Sequence, residues 1–599
     1  MQNINLKYSV NPLENLFIYK SIELLSIYSI DSYRIRLHNP KTLLEELREV
    51  IYSSMQGVLT NNDYVEFTSK ELKRFLEEDN DGLVFKHLSK KHFLSILEKP
   101  NRNNYGLILQ SINIILKYNT EYLDNVYRNI SNLLNSYTDL INRKGEIISS
   151  HSEKYETSKK RLIKQLEYFY IELINKGFSK QYLYKRILSI FVYSTYDTNF
   201  DIQYNKFEQL IRSDNENYTI VFSIDDQSFK YNELKKIDAR YSFVDKIAKN
   251  KLCSKISNNG KEFIEKNKQF ILIAISFQAK DHFSAVQLGV NKFSKDLDIY
   301  HLGYNRKYYK IASQCLVIGD KDPTQSSVLP SNYQIDGYFH NNGDIFENIL
   351  NKINKLKQKN IDKDSYKKIL SAIRYYRTGS ESPELETKLL NYWIGLEFIF
   401  TSFNSGEKTI DRIRKYFPIC HSLIYIKRNL IDFHKTLKRL NLDQKVTLYN
   451  DDLLYLLSNT AYEDIKRESA SELLKYRANL FQKWYQEPNK IGGSLKKHQE
   501  NLIWNITRLY RIRNEIVHNA AIKNGIYTNI AHLKYYLTFI LNSILEFSSA
   551  RLTQVRDMFI FSCYTFVALT NVCLIINKLQ TNNKGIGNGL ETTYLHHFA

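Results

Sequence analysis

The chain has 599 residues, of which 43% are hydrophobic and 25% charged; that balance excludes a disordered or fibrous class, and the length excludes a single core. Eight prolines and 20 glycines, against roughly 30 and 42 at average usage, leave helices few interruptions. Lys plus Arg stands at 84 and Asp plus Glu at 64, a formal net charge of +20, which points to an acidic partner such as RNA, DNA or an anionic membrane face.

The N-terminus, Met1 to Lys7, is polar and lacks the apolar stretch of a secretory signal, so a cytoplasmic location is expected. The cysteines agree: Cys253, Cys315, Cys420, Cys563 and Cys573 are odd in number and too far apart for a disulfide framework or a CxxC knuckle. From Lys41 to about residue 190, apolar residues recur at three-and-four spacing, as in Leu43, Leu44, Leu47, Val50 and Ile51, and again in Leu162, Ile163, Leu166, Phe169, Tyr170 and Leu173. Residues 1–200 are therefore predicted to be a helical N-terminal region. Within it the acidic run from Glu77 to Gly82 reads as a loop, because a calcium loop starting at Asp79 would need its glycine later and a glutamate where Lys90 stands.

After Asp201 the character changes. Tyr218-Thr-Ile-Val-Phe-Ser, Phe270-Ile-Leu-Ile-Ala-Ile-Ser and Cys315-Leu-Val-Ile-Gly are short runs rich in β-branched residues, which predicts strands in a small mixed α/β region over 201–345. Asn351 to Lys368 carries seven lysines and reads as a solvated connecting helix in preference to an electrostatic footprint for phosphates. Ser382 as N-cap, Pro383 at the first helical position, and Glu384 and Glu386 in the first turn predict a helix running to about Thr401. Further helices are predicted at 408–432 with a break or kink at Pro418, then at 461–486, 496–519, 528–548 and 550–578. The fold class is thus mainly α: a helical N-terminal region, a small α/β middle and a helical bundle over 346–599 ending in a long helix. Met558 to Ile576 has no charged residue and is long enough to span a bilayer, but Ser562, Thr565, Thr570 and Asn571 suit a buried helix better. A membrane-attached sensor stays as an alternative.

Motif by motif, most chemistry drops out. The tail Gly585-Ile-Gly587-Asn-Gly589 has Leu590 where a dinucleotide fingerprint needs glycine, no GxxxxGK[ST] or HExxH occurs, and Gln278-Ala-Lys280 only faintly echoes a metal-dependent nuclease core. No cofactor and no metal is expected. What remains is Arg513-Asn514-Glu-Ile-Val-His518. Cleaving RNA without a metal needs a group to take the 2′-hydroxyl proton, a group to protonate the leaving 5′-oxygen and a cation to steady the phosphate charge. An imidazole exchanges protons near neutral pH and a guanidinium grips phosphate oxygens through its fork of donors. In one continuous helix Asn514 and His518 share a face, so Asn514 is expected to orient His518. Arg513 must then reach round from the edge, or the helix must begin near Asn514, or a second copy must complete the site. Arg511 with His518, and Arg428 with His434, match at neighbouring spacings; as an ordinary amphipathic helix the segment would simply carry His518 at its rim.

Ala372-Ile-Arg-Tyr-Tyr-Arg377, then Leu389-Leu-Asn-Tyr-Trp-Ile-Gly-Leu-Glu-Phe-Ile-Phe400, then Tyr510-Arg-Ile-Arg-Asn-Glu-Ile-Val-His518 together resemble the Apea-like HEPN domains, in which a Trp-x-x-Leu-Glu helix precedes an Arg-Asn-x-x-x-His helix. The resemblance covers about residues 360–550. It departs from the family in having Asn519 where a small residue often follows the histidine, and it sets Arg428 and His434 aside as lying too early. It implies an HEPN endoribonuclease with Arg513, Asn514 and His518 catalytic, working as a homodimer on RNA, with tRNA among the candidate substrates, as a toxin-like effector in anti-phage defence. The first 350 residues would then sense a trigger or hold the nuclease off. The competing expectation is an HEPN-like protein that binds RNA or a partner without cutting it. Trp393 and Leu396 are expected in the core, and Glu397 as a partner for a basic group or a hydrogen bonder within the bundle.

Overall fold

The structure, a computed structural model, describes residues 4–550 apart from 5, 27–37, 60–62, 86–87, 143–146, 195–197, 225–227, 304–308, 332–342, 359–361, 383, 402–405, 452, 488 and 520–525. The chain is mainly helical, with one small antiparallel sheet in its middle region. Buried apolar residues between Ile4 and Ile211 share a core that Leu473 joins from far along the chain. Two of its helices matter for the site. Helix α1, Pro40–Met55, starts on a capping box in which the Asn39 side chain accepts from the Thr42 amide, with Pro40 at the first position. Helix α2, Asp63–Glu78, leads into the acidic loop.

In that loop Asp79 is buried and its Oδ2 has no hydrogen-bond partner. Burial, and then neighbouring Asp81, push its pKa up to about 6. Because the folded value lies above the unfolded one, the stability it contributes is complete below about pH 3.9 and is lost as pH rises through about 6. Asp79→Asn is therefore expected to raise the melting temperature at pH 8, by the equivalent of up to about 3 kcal/mol, and to change it little at pH 4.

The sheet runs in the order β2-β3-β1-β4-β5, with β1 Glu216–Ile224, β2 Ser242–Phe243, β3 Ile271–Ala279, β4 Gln314–Gly319 and β5 Ser327–Pro330. The three predicted runs form its centre. In β1, Ile220, Phe222 and Ile224 pack on the His282–Gly303 helix side, while Val221 packs with Phe263 and Ile264 of the Asn258–Lys266 helix. With both faces covered, these strands read as unbroken apolar runs instead of alternating ones. The two edge strands are short, and the Ser242–Phe243 pair is exposed, so neither had a readable pattern. At Gly289 a Cβ would stand 2.7 Å from Ile220 Cδ1 and 3.3 Å from Phe222 Cζ. Gly289→Val is expected to cost about 1–3 kcal/mol of stability through overpacking, measurable by urea unfolding.

The rest of the chain builds two further cores. One joins the Lys363–Glu381 helix, α3 Leu385–Phe400, α4 Thr409–Leu423, α5 Asn489–Asn519 and α6 Ile526–Ala550. A smaller one is formed by 433–484, between α4 and α5. Several boundaries differ from expectation, the start of α5 at Asn489 in place of 496 among them. Ser382 closes the Lys363–Glu381 helix, its hydroxyl donating to the Thr378 carbonyl, and Glu384 is the cap of α3. Pro418 does not break α4: with Phe417, Cys420 and His421 it is buried, and the helix runs on to a break at Ile424 before Tyr425–Arg439. The predicted 461–486 helix is two, Asn459–Glu468 and Glu472–Gln486. Among the described residues no helix is long and apolar enough to cross a membrane; the 550–578 helix, the Met558–Ile576 stretch and the glycine-rich tail lie outside the described residues.

Candidate functional site

Helix α5 is continuous from Asn489 to Asn519, so helical geometry alone places the Arg-Asn-x-x-x-His segment. It does not begin near Asn514, which removes one of the routes by which Arg513 could join the site. Arg513 instead turns back on its neighbour: Nη1 donates to Asn514 Oδ1 at 3.0 Å, and Asn514 Nδ2 donates to the Tyr64 hydroxyl of α2 at 3.3 Å. Arg513 and Asn514 are half-buried and His518 is exposed in the last turn. The spacing predicts that Asn514 orients His518; among the described residues no hydrogen bond joins the two, and the Asn514 amide meets Arg513 and α2 instead. The physical reason is reach. The guanidinium fork bends round the helix to its neighbour's oxygen, and Tyr64 takes the amide's donor side.

The two separate signatures meet in space. Glu397 of α3 places Oε2 3.9 Å from Arg513 Nη2, each side chain 26% exposed. One turn earlier on α3 the buried Trp393 ring lies 5.5 Å from Tyr510 on α5, and Leu396 is fully buried. Glu397 is thus the partner of a basic group.

Arg511, the alternative partner for His518, is occupied elsewhere. It is buried, its Nη2 bonded to Glu46 of α1 and its Nε 3.7 Å from Glu515. Arg508 donates from Nε to both Glu46 oxygens, at 2.9 and 3.1 Å, and from Nη2 to Glu71 of α2. Burial works to raise the Glu46 carboxyl, but Arg508 and Arg511 outweigh it and hold the pKa well below the ordinary range. For Glu71 burial wins over Arg508, and the pKa lies above the ordinary value. His38 Nε2 is 3.3 Å from Glu46 Oε2; burial, then the charge of Arg508, lower its pKa to about 3, so it meets the cluster as a neutral imidazole.

The other match, Arg428 with His434, is not brought together. The Arg428 guanidinium lies 4.7 Å over the Tyr535 ring of α6. His434 is buried in the small core, stacked 5.1 Å from Tyr449, with Nδ1 3.1 Å from the Tyr455 hydroxyl. Among the described residues no group of His, Cys, Asp and Glu side chains could hold a metal ion, and the echo at Gln278 to Lys280 ends with Lys280 Nζ donating to the Ser213 carbonyl.

Glu46, Glu71 and Tyr64 are the neighbours that motif reading missed. One signal was present: Glu46 lies between Leu43 and Val50, and Glu71 between Thr68 and Phe75, on the buried stripes of their helices. A carboxylate in a buried stripe implies a cation from elsewhere. Compared with protein-family models, with curated proteins and with solved structures, the chain matches none.

Proposed function

We propose that the C-terminal helical region is a metal-independent endoribonuclease of HEPN type, in which His518 moves the proton, Arg513 steadies the charge on the phosphate and Asn514 holds Arg513 in place. The observation that carries the reading is the meeting of Glu397 and Arg513, at 3.9 Å, from two motifs that lie far apart in the chain. An exposed imidazole and a half-buried guanidinium lie on the last turns of one helix, where the imidazole is open to a long polymer. Such an arrangement offers a proton-exchanging group and a cation to steady the phosphate charge. A homodimer, in which two such helix ends face each other, and a role as a toxin-like defence effector on RNA, tRNA included, belong to the same proposal.

The test is expression of the wild-type chain and of His518→Ala in bacteria, followed by electrophoresis of total RNA. Growth arrest with RNA breakdown is expected only for the wild type. Equal breakdown with both proteins, or none with either, would reject the reading. A second reading, RNA binding without cutting, is favoured by the absence of an orienting hydrogen bond from Asn514 to His518; it requires salt-sensitive RNA binding, unchanged in His518→Ala, and no cleavage.

A further inference from the structure

Helix α2 lies antiparallel along α5. Tyr64 meets Asn514 at one end, Glu71 meets Arg508 in the middle, and Glu78 meets Lys497 at the other. The charges are complementary over that length. Helix α5 has six Lys and Arg against two Glu, and α2 has five carboxylates against three cations. Alongside, Asp63 of α2 reaches Arg414 of α4 at 3.3 Å, while Glu46 of α1 takes Arg508 and Arg511.

Aromatic faces are covered in the same register. Arg74 of α2 lies 4.0 Å over the Trp504 ring, and Tyr64 stacks on Tyr510 at 6.4 Å. The space left between α1, α2 and α5 is about 10 Å³, room for no more than one water.

From Lys497 to Arg511 the cations paired with α1 and α2 carboxylates, the first half exposed and the last two buried, span about 21 Å of helix at about 1.5 Å per residue. That length suits an extended polyanion better than a single phosphate group. Cations interleaved with exposed ring faces are what single-stranded nucleic acid binds, phosphates on the charges and bases on the rings. We infer that the α4–α5 face carrying Arg414, Trp504, Arg508 and Arg511 is a binding tract for single-stranded RNA, and that α1 and α2 cover it with carboxylates where the phosphates would sit. This rests on the reading of α5 as the helix that faces RNA. Displacement of α2 would open the tract and, through the loss of the Tyr64 contact, free Asn514 together with it.

The test uses the full-length chain carrying His518→Ala, so that binding is read apart from cutting, and a fluorescent single-stranded RNA. The Phe67 ring lies 5.1 Å from the Arg414 guanidinium, and Tyr64→Ala with Phe67→Ala removes packing of α2 without changing charge. It is expected to tighten RNA binding at least tenfold and to steepen the salt dependence, by about one unit of slope for each added phosphate contact. Hydrogen exchange on the chain without those two changes gives a second readout, independent of how well the double variant folds: RNA should speed exchange across 63–78. Unchanged affinity in a folded double variant, RNA bound with α2 exchange unchanged, or no RNA binding by any of these proteins would overturn the inference. The two readings fail separately. RNA bound on the opened tract but never cut by chains that keep His518 removes only the nuclease, and RNA cut with no gain on loosening removes only the covered tract.

Discussion

Replacing His518 by alanine is expected to lower the rate of RNA cleavage by about 10²–10⁴-fold, the usual worth of a positioned general acid or base. Arg513→Ala should cost about 10²–10³-fold, the worth of one donor to the charged transition state. Arg513→Lys should not restore it, because an ammonium cannot both accept the geometry of the Asn514 Oδ1 contact and fork onto two phosphate oxygens. His434→Gln should leave the rate within a few-fold, since His434 is held between Tyr449 and Tyr455 in the small core. The measurement is single-turnover cleavage of one RNA in EDTA. Loss with His434→Gln but not with His518→Ala would move the site to the other match.

The second large effect concerns stability. Glu46 is the shared partner of two buried guanidinium groups, and truncating it to alanine leaves both without that carboxylate, at an expected cost of about 3–5 kcal/mol. The pH dependence follows from the direction of its shift. The folded-state pKa is depressed, so its contribution is present above the ordinary carboxylate value of about 4.3 and is lost as pH falls from there toward the folded value. Glu71 has the opposite sign. Burial raises its pKa, its contribution is lost as pH rises through that raised value, and Glu71→Gln should cost far less than Glu46→Gln at pH 8. Thermal unfolding at pH 4, 6 and 8 separates the two: equal penalties at pH 8 would contradict the electrostatic picture of the cluster.

These effects also show what could be read from the amino acids alone. The central strands were legible because their β-branched runs are buried on both faces, and α5 and α6 because their apolar spacing is strong. Ser382 misled because a serine followed by proline suits a helix start, while here its hydroxyl bonds backwards to Thr378 and caps the preceding helix. Pro418 misled because its cost, about 3 kcal/mol, is outweighed by burial of the segment around it. The meeting of Glu397 with Arg513 was foreseen only as a type of contact. The carboxylate cluster under α5 was out of reach, since Arg508 and Glu71 are 437 positions apart and Arg511 and Glu46 are 465 apart. Nothing local in either segment names its partner.

The most direct measurement is mass spectrometry of a single RNA oligonucleotide incubated in EDTA with the wild-type protein and with His518→Ala. Cleavage by attack of the 2′-hydroxyl leaves a 2′,3′-cyclic phosphate on the upstream fragment and a 5′-hydroxyl on the downstream one. Those two ends with the wild type, and intact RNA with His518→Ala, are the expected result. Intact RNA with both proteins, or the same fragments from both, would contradict a nuclease built on Arg513, Asn514 and His518.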